Sequence, residues 1–421
     1  MNVTRAKLSR RSVLQTVWSS LTTAGVGAVL SDVGTQRAFA ARANGRAVVC
    51  IYLFGGNDAN NMIVPLSQYG SYAAARVNLA IAQDELLPVR TAATQEDYGF
   101  HPSLTELQPL FQSGAMAVAA NVGSADGPAT IDSSLHYFRP GYATPGWAAD
   151  AAGVGAPSDS GSLLSGLPQI GDLAREVSGA LAAAREPAPE PVYSGFPNLL
   201  AVNRQASGNP TSGIAMLAPG VALAGNQRAQ LISESVKAAR TLQTVFPETG
   251  LGAQLLQAAG LLKVRKQFGI GNQAFLCSLG GFTSRLDAHA DLLKELSSAM
   301  AAFYRATEEM GIAQSVTTYT DSEYSRTLRP NRQGGTDPAW GAHHLVLGGA
   351  VLGANVYGRF PTLAPGGPDD ISNLGIFKPS QSKDQYAATF ASWFGMEYPE
   401  VVKSLPRITR YPKPLLGFIA G

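Results

Sequence analysis

The sequence feature that most constrains the fold is a continuous apolar run from Ala47 to Phe54, which ends abruptly in the sequence "GGND" of residues 55 to 58. A run of this length and composition is typical of a strand that is buried on both faces of a sheet. In open α/β sheets, ligands bind at the carboxyl ends of the strands. Asn57 and Asp58 therefore stand where a functional site is expected.

Predicted strands and helices alternate along much of the chain. Apolar runs predict strands at 115–123, 273–282, 315–320 and 343–351. Apolar residues at three- and four-residue spacing predict helices within 102–114, at about 225–245 and 250–267, and at about 287–310. This alternation indicates the α/β class, with a mainly parallel sheet and helices on both faces.

Length and composition favour one large domain after the N-terminal segment. Of the 421 residues, 45% are apolar and 15% are charged, which is sufficient for a single sizeable core. Residues 153 to 222 are richer in glycine, proline, serine and alanine and lack long apolar strands. We predict an insertion or cap segment there, within a domain of residues 41 to 421.

The N-terminus has the pattern of a twin-arginine export signal. Arg10 and Arg11 precede an uncharged, moderately apolar run, and Ala38 and Ala40 form a small-x-small cleavage site. The alternative is a membrane anchor, but threonine, serine and glycine dilute the run below the hydropathy of a spanning helix. The pattern predicts a signal peptide of residues 1 to 40 and a periplasmic or secreted protein.

The charge balance argues against a nucleic-acid partner. Residues 1 to 40 contain five basic residues and one acidic residue, so their removal changes the net charge from +2 to −2. A weakly acidic mature chain does not favour binding to nucleic acid or to an anionic membrane surface. We also expect no stable membrane span after the signal is removed.

The two cysteines, Cys50 and Cys277, both lie in apolar runs that predict strands. An oxidising compartment would allow them to form a disulfide. Buried free cysteines are also common in protein cores, and neighbouring strands often have the wrong geometry for a disulfide. The sequence leaves both possibilities open.

Acids and histidines collect where predicted strands end or begin. The residues concerned are Asp58, Asp287, His289, Glu323, Asp337, His343 and His344. Carboxylates and imidazoles that converge at one edge of a sheet could bind a divalent metal ion. Any single acid after a strand could instead cap a helix.

The histidines lie in two different predicted environments, a strand and a helix start. In a strand, His343 and His344 point to opposite faces, so at most one of them can face a given site, and the other is expected to be packed or on the surface. Asp287 and His289 are two residues apart at a predicted helix start, where their side chains diverge. For Asp287 and His289 we favour helix capping and surface roles.

Several motifs resemble those of the domain-of-unknown-function 1501 family. They are the twin-arginine leader, "VVCIYLFGGNDANNMIVP", "YGFHPSL", "SLGGF", the stretch from Leu292 to Thr327, and "GGTDPAWGAHHLVLGGAVLGANVYGRFPTL". Together they cover nearly the whole mature chain. Members of the family are exported bacterial proteins related in fold to alkaline phosphatases and sulfatases, so the resemblance implies an alkaline phosphatase-like fold.

The resemblance also implies roles for individual residues. In that superfamily, a carboxylate after the first strand, a serine or threonine nucleophile and two further clusters hold two metal ions. Asp58 matches the first carboxylate, and Glu323 matches the acid after a later strand, with Arg326 behind it. Thr130 occupies the nucleophile position, but Ile131 replaces the histidine that usually follows.

Three ligands that the family pattern implies are missing from this chain. In "GGFTSRLDAH", Thr283 replaces an aspartate and the next histidine is absent, and in "TDPAWG", Pro338 replaces a histidine. By analogy, all three belong to one metal position, whereas Asp58, Thr130 and Glu323 belong to the other. The resemblance therefore implies at most one divalent metal ion, with Asp337 assisting and His343 as a weaker candidate ligand.

Two functions follow from these observations. The favoured one is a degenerate, non-catalytic or weakly active envelope protein, because a two-metal site must clamp both the attacking and the leaving oxygen. The alternative is a metal-dependent hydrolase of phosphate or sulfate esters with Thr130 as nucleophile. The expected partner is a small anionic ester or another envelope protein. A histidine nitrogen within about 4 Å of the Asp58 or Glu323 carboxylate would favour the hydrolase.

Overall fold

The structure is a computed structural model that describes residues 45–123, 199–203, 213–217, 225–283, 286–322 and 324–420. Its strands are β1 (Ala47–Phe54), β2 (Ile63–Pro65), β3 (Leu87–Arg90), β4 (Asp97–Phe100), β5 (Met116–Gly123), β6 (Leu199–Asn203), β7 (Gly213–Leu217), β8 (Gln273–Gly280), β9 (Val316–Ser322), β10 (Ser325–Arg326), β11 (Pro338–Ala339), β12 (Ala342–Gly348), β13 (Val356–Tyr357) and β14 (Gln381–Ser382). Its α-helices are α1 (Ala59–Met62), α2 (Tyr69–Arg76), α3 (Leu107–Gln112), α4 (Gly225–Ala239), α5 (Gly250–Val264), α6 (His289–Glu309), α7 (Lys383–Phe394) and α8 (Tyr398–Ser404).

Within the described residues, the central element is a nine-stranded sheet with the order β13-β5-β12-β9-β1-β8-β7-β6, in which β14 also pairs with β5. Seven of these strands run in one direction, whereas β7 and β12 run in the opposite one. The prediction of an α/β protein with a mostly parallel sheet is confirmed. Because β12 is antiparallel to β5 and β9, its first residues lie at the same sheet edge as the last residues of those strands.

Helices cover both faces of the sheet, as the apolar run of β1 predicts. Val49 and Ile51 belong to one apolar core, which includes α5 and α6. Val48 and Cys50 belong to a second core on the other face, which includes α7. This division follows from the two-residue period of a strand. A strand that is buried on both faces must be apolar at every position, and each fully buried aliphatic side chain contributes about 1.5–3 kcal/mol.

Two small sheets lie beside the central one. Strands β2, β4 and β3 form an antiparallel sheet, and β10 pairs with β11. The chain passes from β1 through α1 into β2 within a few residues, so the small sheet is tied to the carboxyl end of β1. The residue after β4, His101, donates its backbone N–H to the carbonyl of Met62 at 3.0 Å. This bond brings His101 to the end of α1.

Part of the predicted insertion belongs to the central sheet. Within residues 153 to 222, β6 and β7 form an antiparallel hairpin, and β7 pairs with β8. The insertion or cap segment stays a prediction, and these two strands within its bounds are part of the central sheet. They are too short to stand out as apolar runs, and the hairpin is stabilised by pairing with β8, which the local sequence does not reveal. The rest of the segment lies outside the described residues.

The two cysteines are buried free thiols on opposite faces of the sheet. In the parallel pair of β1 and β8, Cys50 is level with Leu276, and Cys277 is level with Ile51. Residues one position apart in register point to opposite sides, so these two sulfur atoms cannot meet. The structure resolves the question that the sequence left open.

No helix among the described residues is both long and apolar enough to cross a membrane.

Candidate functional site

Polar residues from several strands meet at one edge of the central sheet, formed by the ends of β1, β5, β8 and β9 and the start of β12; we call it the carboxyl edge. The loop after β1 passes through it at Gly55 and Gly56, whose φ angles are 104° and 84°. A Cβ atom on Gly55 would lie 2.0 Å from the carbonyl oxygen of Phe282, and one on Gly56 would lie 2.1 Å from the Tyr324 ring. Glycine is required at both positions, and the loop then directs Asn57 and Asp58 inward.

Asp58 is fully buried and is paired with Arg76 of α2. Its Oδ2 accepts a hydrogen bond from the Arg76 guanidinium at 2.5 Å, and its Oδ1 accepts one from the backbone N–H of Asn61 at 3.2 Å. The second contact caps α1, which is the common role of an acid after a strand. The carboxylate therefore already has a cation and a helix N–H as partners.

Arg76 is itself fully buried and joins several groups to Asp58. Its guanidinium donates to Asn61 Oδ1 at 3.0 Å, to the carbonyl of Thr327 at 3.0 Å and to that of Leu328 at 3.2 Å. The hydroxyl of Tyr72 donates to the same Asn61 oxygen at 2.8 Å. A buried polar network in which every member is satisfied holds its side chains in one arrangement.

Asn57 connects the loop after β1 to the ends of two other elements. Its backbone N–H donates to Ser322 Oγ at 3.1 Å, and its Oδ1 lies 3.0 Å from Nε2 of His289, the first residue of α6. An amide oxygen can only accept, so Nε2 of His289 carries the proton. Burial lowers the pKa of His289 to about 3, and the negative charge of Asp58 opposes this shift. The ring is therefore neutral at neutral pH.

His101 lies next to His289, with the two rings edge to face and their centroids 5.5 Å apart. Its Nδ1 accepts the backbone N–H of Ser103 at 3.0 Å, so its proton is on Nε2. Burial lowers the pKa of His101 to about 4, again opposed by the charge of Asp58. Two neutral imidazoles thus lie within electrostatic range of the Asp58 carboxylate.

Arg326 holds the backbone of the glycine loop. Its buried guanidinium donates to the carbonyl oxygens of Gly55, of Gly56 at 3.0 Å and of Thr336 at 3.3 Å, and it lies 5.3 Å from the centre of the Tyr324 ring. The structure therefore places this predicted site residue at the carboxyl edge. Its hydrogen bonds there are to backbone carbonyls.

A second buried carboxylate, Asp321, lies at the end of β9. Its Oδ1 accepts a hydrogen bond from Nζ of Lys383, the first residue of α7, at 2.9 Å. Lys383 also donates to the carbonyl of Ser322 at 2.6 Å. Nε2 of His344 is 3.6 Å from the same Asp321 oxygen, too far for a hydrogen bond, and it has no hydrogen-bond partner among the described residues. Burial lowers the pKa of His344 to about 4.

His343 and His344 point to opposite faces of β12, as the strand period predicts. The ring of His343 stacks on Phe360 at 4.0 Å, whereas that of His344 stacks on Tyr386 of α7 at 5.4 Å. Nδ1 of His343 accepts the backbone N–H of Asn121 at 3.0 Å, and burial lowers the pKa of His343 to about 3. Asn121 lies in a β-bulge of β5 and has a φ angle of 52°. Both histidines are packed, neutral side chains.

Asp337 is exposed and organises its own loop. Its carboxylate accepts a hydrogen bond from Asn331 Nδ2 at 2.9 Å, and its backbone N–H donates to Thr327 Oγ1 at 3.1 Å. Pro338, which follows it, pairs with Arg326 in the β10–β11 ladder. The structure gives this acid contacts with its loop and none with the buried carboxylates.

The donors in the described ranges are not grouped as a metal centre. No three His, Cys, Asp or Glu side chains within those ranges form a group that could hold a metal ion. Within the same ranges, the Asp58 carboxylate forms an ion pair with Arg76, and no histidine nitrogen lies within 4.0 Å of its oxygens. Outside the described residues lie Glu323, Thr130 and Ile131, and the signal residues Arg10, Arg11, Ala38 and Ala40.

The sequence interpretation missed Arg76, His101, Asp321 and Lys383 as members of the carboxyl edge, and it placed His289 on the surface. His289 is buried, so that expectation is wrong. One signal could have located it, because an acid and a histidine, Asp287 and His289, follow shortly after Thr283, the position at which the resemblance implies an aspartate and then a histidine. Arg76 and Lys383 have no such signal, since each comes from a helix that is distant in sequence from its partner.

Comparison with models of protein families gives a match. Residues 281–373 match the model of a family described as "Protein of unknown function (DUF1501)". No curated protein was found to match the chain. The matched segment runs from the end of β8 through α6, β9 and β12 and includes Arg326, Asp337 and both histidines of β12. It therefore supports the resemblance of this chain to the DUF1501 family.

Proposed function

We propose that this chain is a degenerate member of the alkaline phosphatase and sulfatase-like superfamily that acts as a non-catalytic or weakly active envelope protein. In this proposal, the carboxyl edge binds a ligand or a partner protein. The observation that carries it is the buried ion pair between Asp58 and Arg76. Asp58 is the carboxylate that the resemblance assigns to a metal ion, and in this chain a guanidinium lies against it.

The other donors support the same proposal. Each of His101 and His343 uses Nδ1 to accept a backbone N–H, His289 bonds to Asn57, and Asp321 is neutralised by Lys383. A first-row metal ion needs several free imidazole or carboxylate donors that converge on one point. The described residues do not fit such an ion, so we derive no catalytic step through one.

The alternative, a metal-dependent hydrolase of phosphate or sulfate esters, has one observation in its favour. His289 and His101 lie beside the loop after β1, and the negative charge of Asp58 acts to raise the pKa of both imidazoles. In that alternative, Thr130 would be the nucleophile, and Glu323 would complete the ligands of a single divalent ion with Asp58. The motion of Arg76 away from Asp58 would then be a requirement for activity.

The test combines metal analysis with ester hydrolysis. The protein is purified from its exporting host, its metal content is measured by mass spectrometry, and hydrolysis of p-nitrophenyl phosphate and sulfate is assayed with added Zn²⁺, Mn²⁺ or Mg²⁺. Thr130→Ala and Asp58→Asn are the test variants. Thr105→Ala and Asp97→Asn, at exposed positions, are matched controls.

We expect no stoichiometric transition metal and no turnover that depends on Thr130 or Asp58. Bound metal, together with activity that is lost in both test variants and kept in both controls, would overturn the non-catalytic proposal and establish the hydrolase.

Export by the twin-arginine pathway is part of the proposal and rests on Arg10, Arg11, Ala38 and Ala40. Replacing both arginines by lysine is expected to leave the precursor in the cytoplasm. The mature N-terminus in the wild type is expected at Ala41. An unprocessed chain at the cell surface, or normal export of the lysine variant, would contradict this part.

A further inference from the structure

Arg265, the residue that follows α5, is buried and has no carboxylate partner in the described residues. It is 5% exposed, and no described residue forms a hydrogen bond to its buried Nη1 atom. Carboxylates pair with Arg76, Arg90, Arg359 and Arg407, but in the described ranges none pairs with Arg265. Arg265 therefore carries a full positive charge in a place where no acid of those ranges offsets it.

Two other buried arginines show what such a side chain needs. The guanidinium of Arg76 bonds to a carboxylate, an amide oxygen and two carbonyls, and that of Arg326 bonds to three carbonyls. A guanidinium cannot lose its proton at physiological pH, so a buried one needs acceptors around it. Burial lowers the pKa of Arg265, whereas the partner carboxylate Asp97 raises that of Arg90. Arg265 is short of the acceptors that the other two have.

Arg265 lies where β1 and β8 begin, at the edge of the central sheet opposite the carboxyl edge; we call it the amino edge. The residue stands between α5 and β8 in the chain. A Cβ atom on Gly45, two residues before β1, would lie 3.5 Å from its Nη2. The first residues of the two strands, Ala47 and Gln273, are level with each other. The guanidinium is therefore separated from the candidate site by the length of these strands.

The surroundings of Arg265 are basic. Residues 249 to 286, which include α5 and β8, contain no aspartate or glutamate. Lys266, the next residue in the chain, is exposed. Arg46, directly before β1, lies over the ring of Trp393 at 5.1 Å. The field of these positive charges attracts an anion to the amino edge.

Two other features offset the charge only in part. The C-terminal end of α5 carries a partial negative charge, which favours a cation beside it but provides no hydrogen bond to Nη1 from the described residues. Glu309, at the end of α6, accepts hydrogen bonds from the backbone N–H groups of Gln243 at 2.8 Å and Thr244 at 2.9 Å. The buried guanidinium still needs an oxygen acceptor that carries a full negative charge.

We propose that Arg265 forms an anion site at the amino edge, which binds a small oxyanion such as inorganic phosphate. Adjacent N–H groups of a guanidinium match two oxygens of one such ion. Since Arg265 is only 5% exposed, a small free ion can reach it, whereas a bulky phosphate ester cannot. This inference goes beyond the proposed function, because the site lies at the opposite edge of the sheet and uses none of its residues.

The test is phosphate binding by the mature protein. Binding is measured by calorimetry, and Tm is followed against sodium phosphate at constant ionic strength in a buffer without other oxyanions. Arg265→Met removes the charge at similar volume, and Arg265→Lys keeps the charge but removes the fork. Lys266→Met, which removes an exposed neighbouring charge, is the matched control. Phenyl phosphate is the bulky ester.

We expect the wild type and Lys266→Met to bind one phosphate and to show a saturable rise in Tm, as mass action requires for a ligand of the native state. Arg265→Lys should bind at least about tenfold more weakly, because it loses a charge-assisted hydrogen bond. Arg265→Met should not bind phosphate, and its Tm without phosphate should be no lower than that of the wild type, because it removes a buried unpaired charge. Phenyl phosphate should bind more weakly than phosphate.

The inference would be overturned by a wild type without saturable phosphate binding, by equal binding in Arg265→Met, or by phenyl phosphate binding as tightly as phosphate. If Arg265→Met does not fold, an unchanged affinity of Arg265→Lys would overturn it. Phosphate binding at the carboxyl edge would persist in the Arg265 variants. Bound transition metal with ester hydrolysis would contradict the proposed function instead, so the two failures are distinguishable.

Discussion

Among the described residues, the carboxyl edge contains two buried ion pairs, Asp58 with Arg76 and Asp321 with Lys383, and their surroundings differ. In the pair of Asp58 and Arg76, both side chains are 0% exposed, and the guanidinium makes further hydrogen bonds to three neighbours. In the pair of Asp321 and Lys383, the lysine is 16% exposed, and the adjacent His344 has a nitrogen to which no described residue forms a hydrogen bond. The first pair is a closed network, whereas the second is not fully satisfied.

The two pairs differ because arginine and lysine have different numbers and arrangements of hydrogen-bond donors. Arginine has a planar fork of five donors and can satisfy several fixed acceptors at once, whereas lysine is a single point charge on a flexible stem. The Asp58 side therefore has little freedom to accept a ligand. The Asp321 side has more freedom to accept a ligand, because its lysine is partly exposed and the His344 nitrogen has no hydrogen-bond partner in the part of the chain that the structure describes.

The largest effect is expected for Arg76→Met. It leaves the Asp58 carboxylate buried without a cation, so the free energy of unfolding should fall by about 3–5 kcal/mol. Denaturant unfolding at constant pH measures this loss. A loss no larger than that of Lys383→Met would show that the two pairs do not differ as described.

A lower pH should destabilise both sides of the edge through their histidines. The pKa values of His289 and His344 are about 3 and 4 in the folded protein, below the ordinary value of about 6.5. As the pH falls below about 6.5, the unfolded chain binds protons that the native rings do not. Stability should fall until the folded pKa is reached, by up to about 1.4 kcal/mol per pH unit for each histidine.

His289→Asn on the Asp58 side and His344→Asn on the Asp321 side should each reduce this pH dependence by one proton between pH 4 and 6. Unfolding free energies at several pH values measure the slope. If neither variant changes it, the two rings already bind protons in the native state.

Lys383→Met should cost less, about 1–3 kcal/mol, because Lys383 is partly exposed and water can reach the vacated space. It should also raise the pKa of His344, since the positive charge of Lys383 lowers that pKa. Imidazole chemical shifts as a function of pH measure the change. An unaltered His344 pKa would show that this lysine and this histidine are not coupled.

Val77→Gly should stabilise the protein by about 1 kcal/mol. Val77 directly follows Arg76 and has φ and ψ angles of 52° and −116°, which a β-branched residue rarely adopts. It is 68% exposed, so little apolar burial is lost. Val245, which is 85% exposed and has no positive φ, provides the control, and Val245→Gly should not stabilise. Equal effects in both variants would exclude strain beside Arg76.

No effect of oxidants is expected on the two cysteines. Burial raises the pKa of Cys50 and Cys277, and they lie on opposite faces of the sheet. Neither thiol should be alkylated in the native protein, and both should be alkylated in denaturant, as mass spectrometry can show. A mass two units lower after non-reducing denaturation would indicate a disulfide and contradict the structure.

Local sequence predicted those strands and helices whose apolar pattern lies entirely within their own residues. The apolar run of β1 and the helical spacing of α6 are visible in any window that contains them, and both elements were found at the expected positions. The hairpin of β6 and β7 was not predicted, because short strands are stabilised by a neighbour rather than by their own residues. The reversed direction of β12 was not predicted either, since direction depends on which strands it joins.

In the candidate site too, local sequence located individual residues but not their contacts with distant parts of the chain. The sequence by itself placed Asn57 and Asp58 at the end of a buried strand. The replacement of metal ligands at Thr283 and Pro338 is implied only by the resemblance to the family and stays a prediction. Tertiary structure decided which charges meet. Arg76 reaches Asp58 across 18 residues, and Lys383 reaches Asp321 across 62. A buried carboxylate must find a cation, but sequence spacing does not say which one, because only the folded arrangement of helices around the sheet brings a particular side chain within bonding distance.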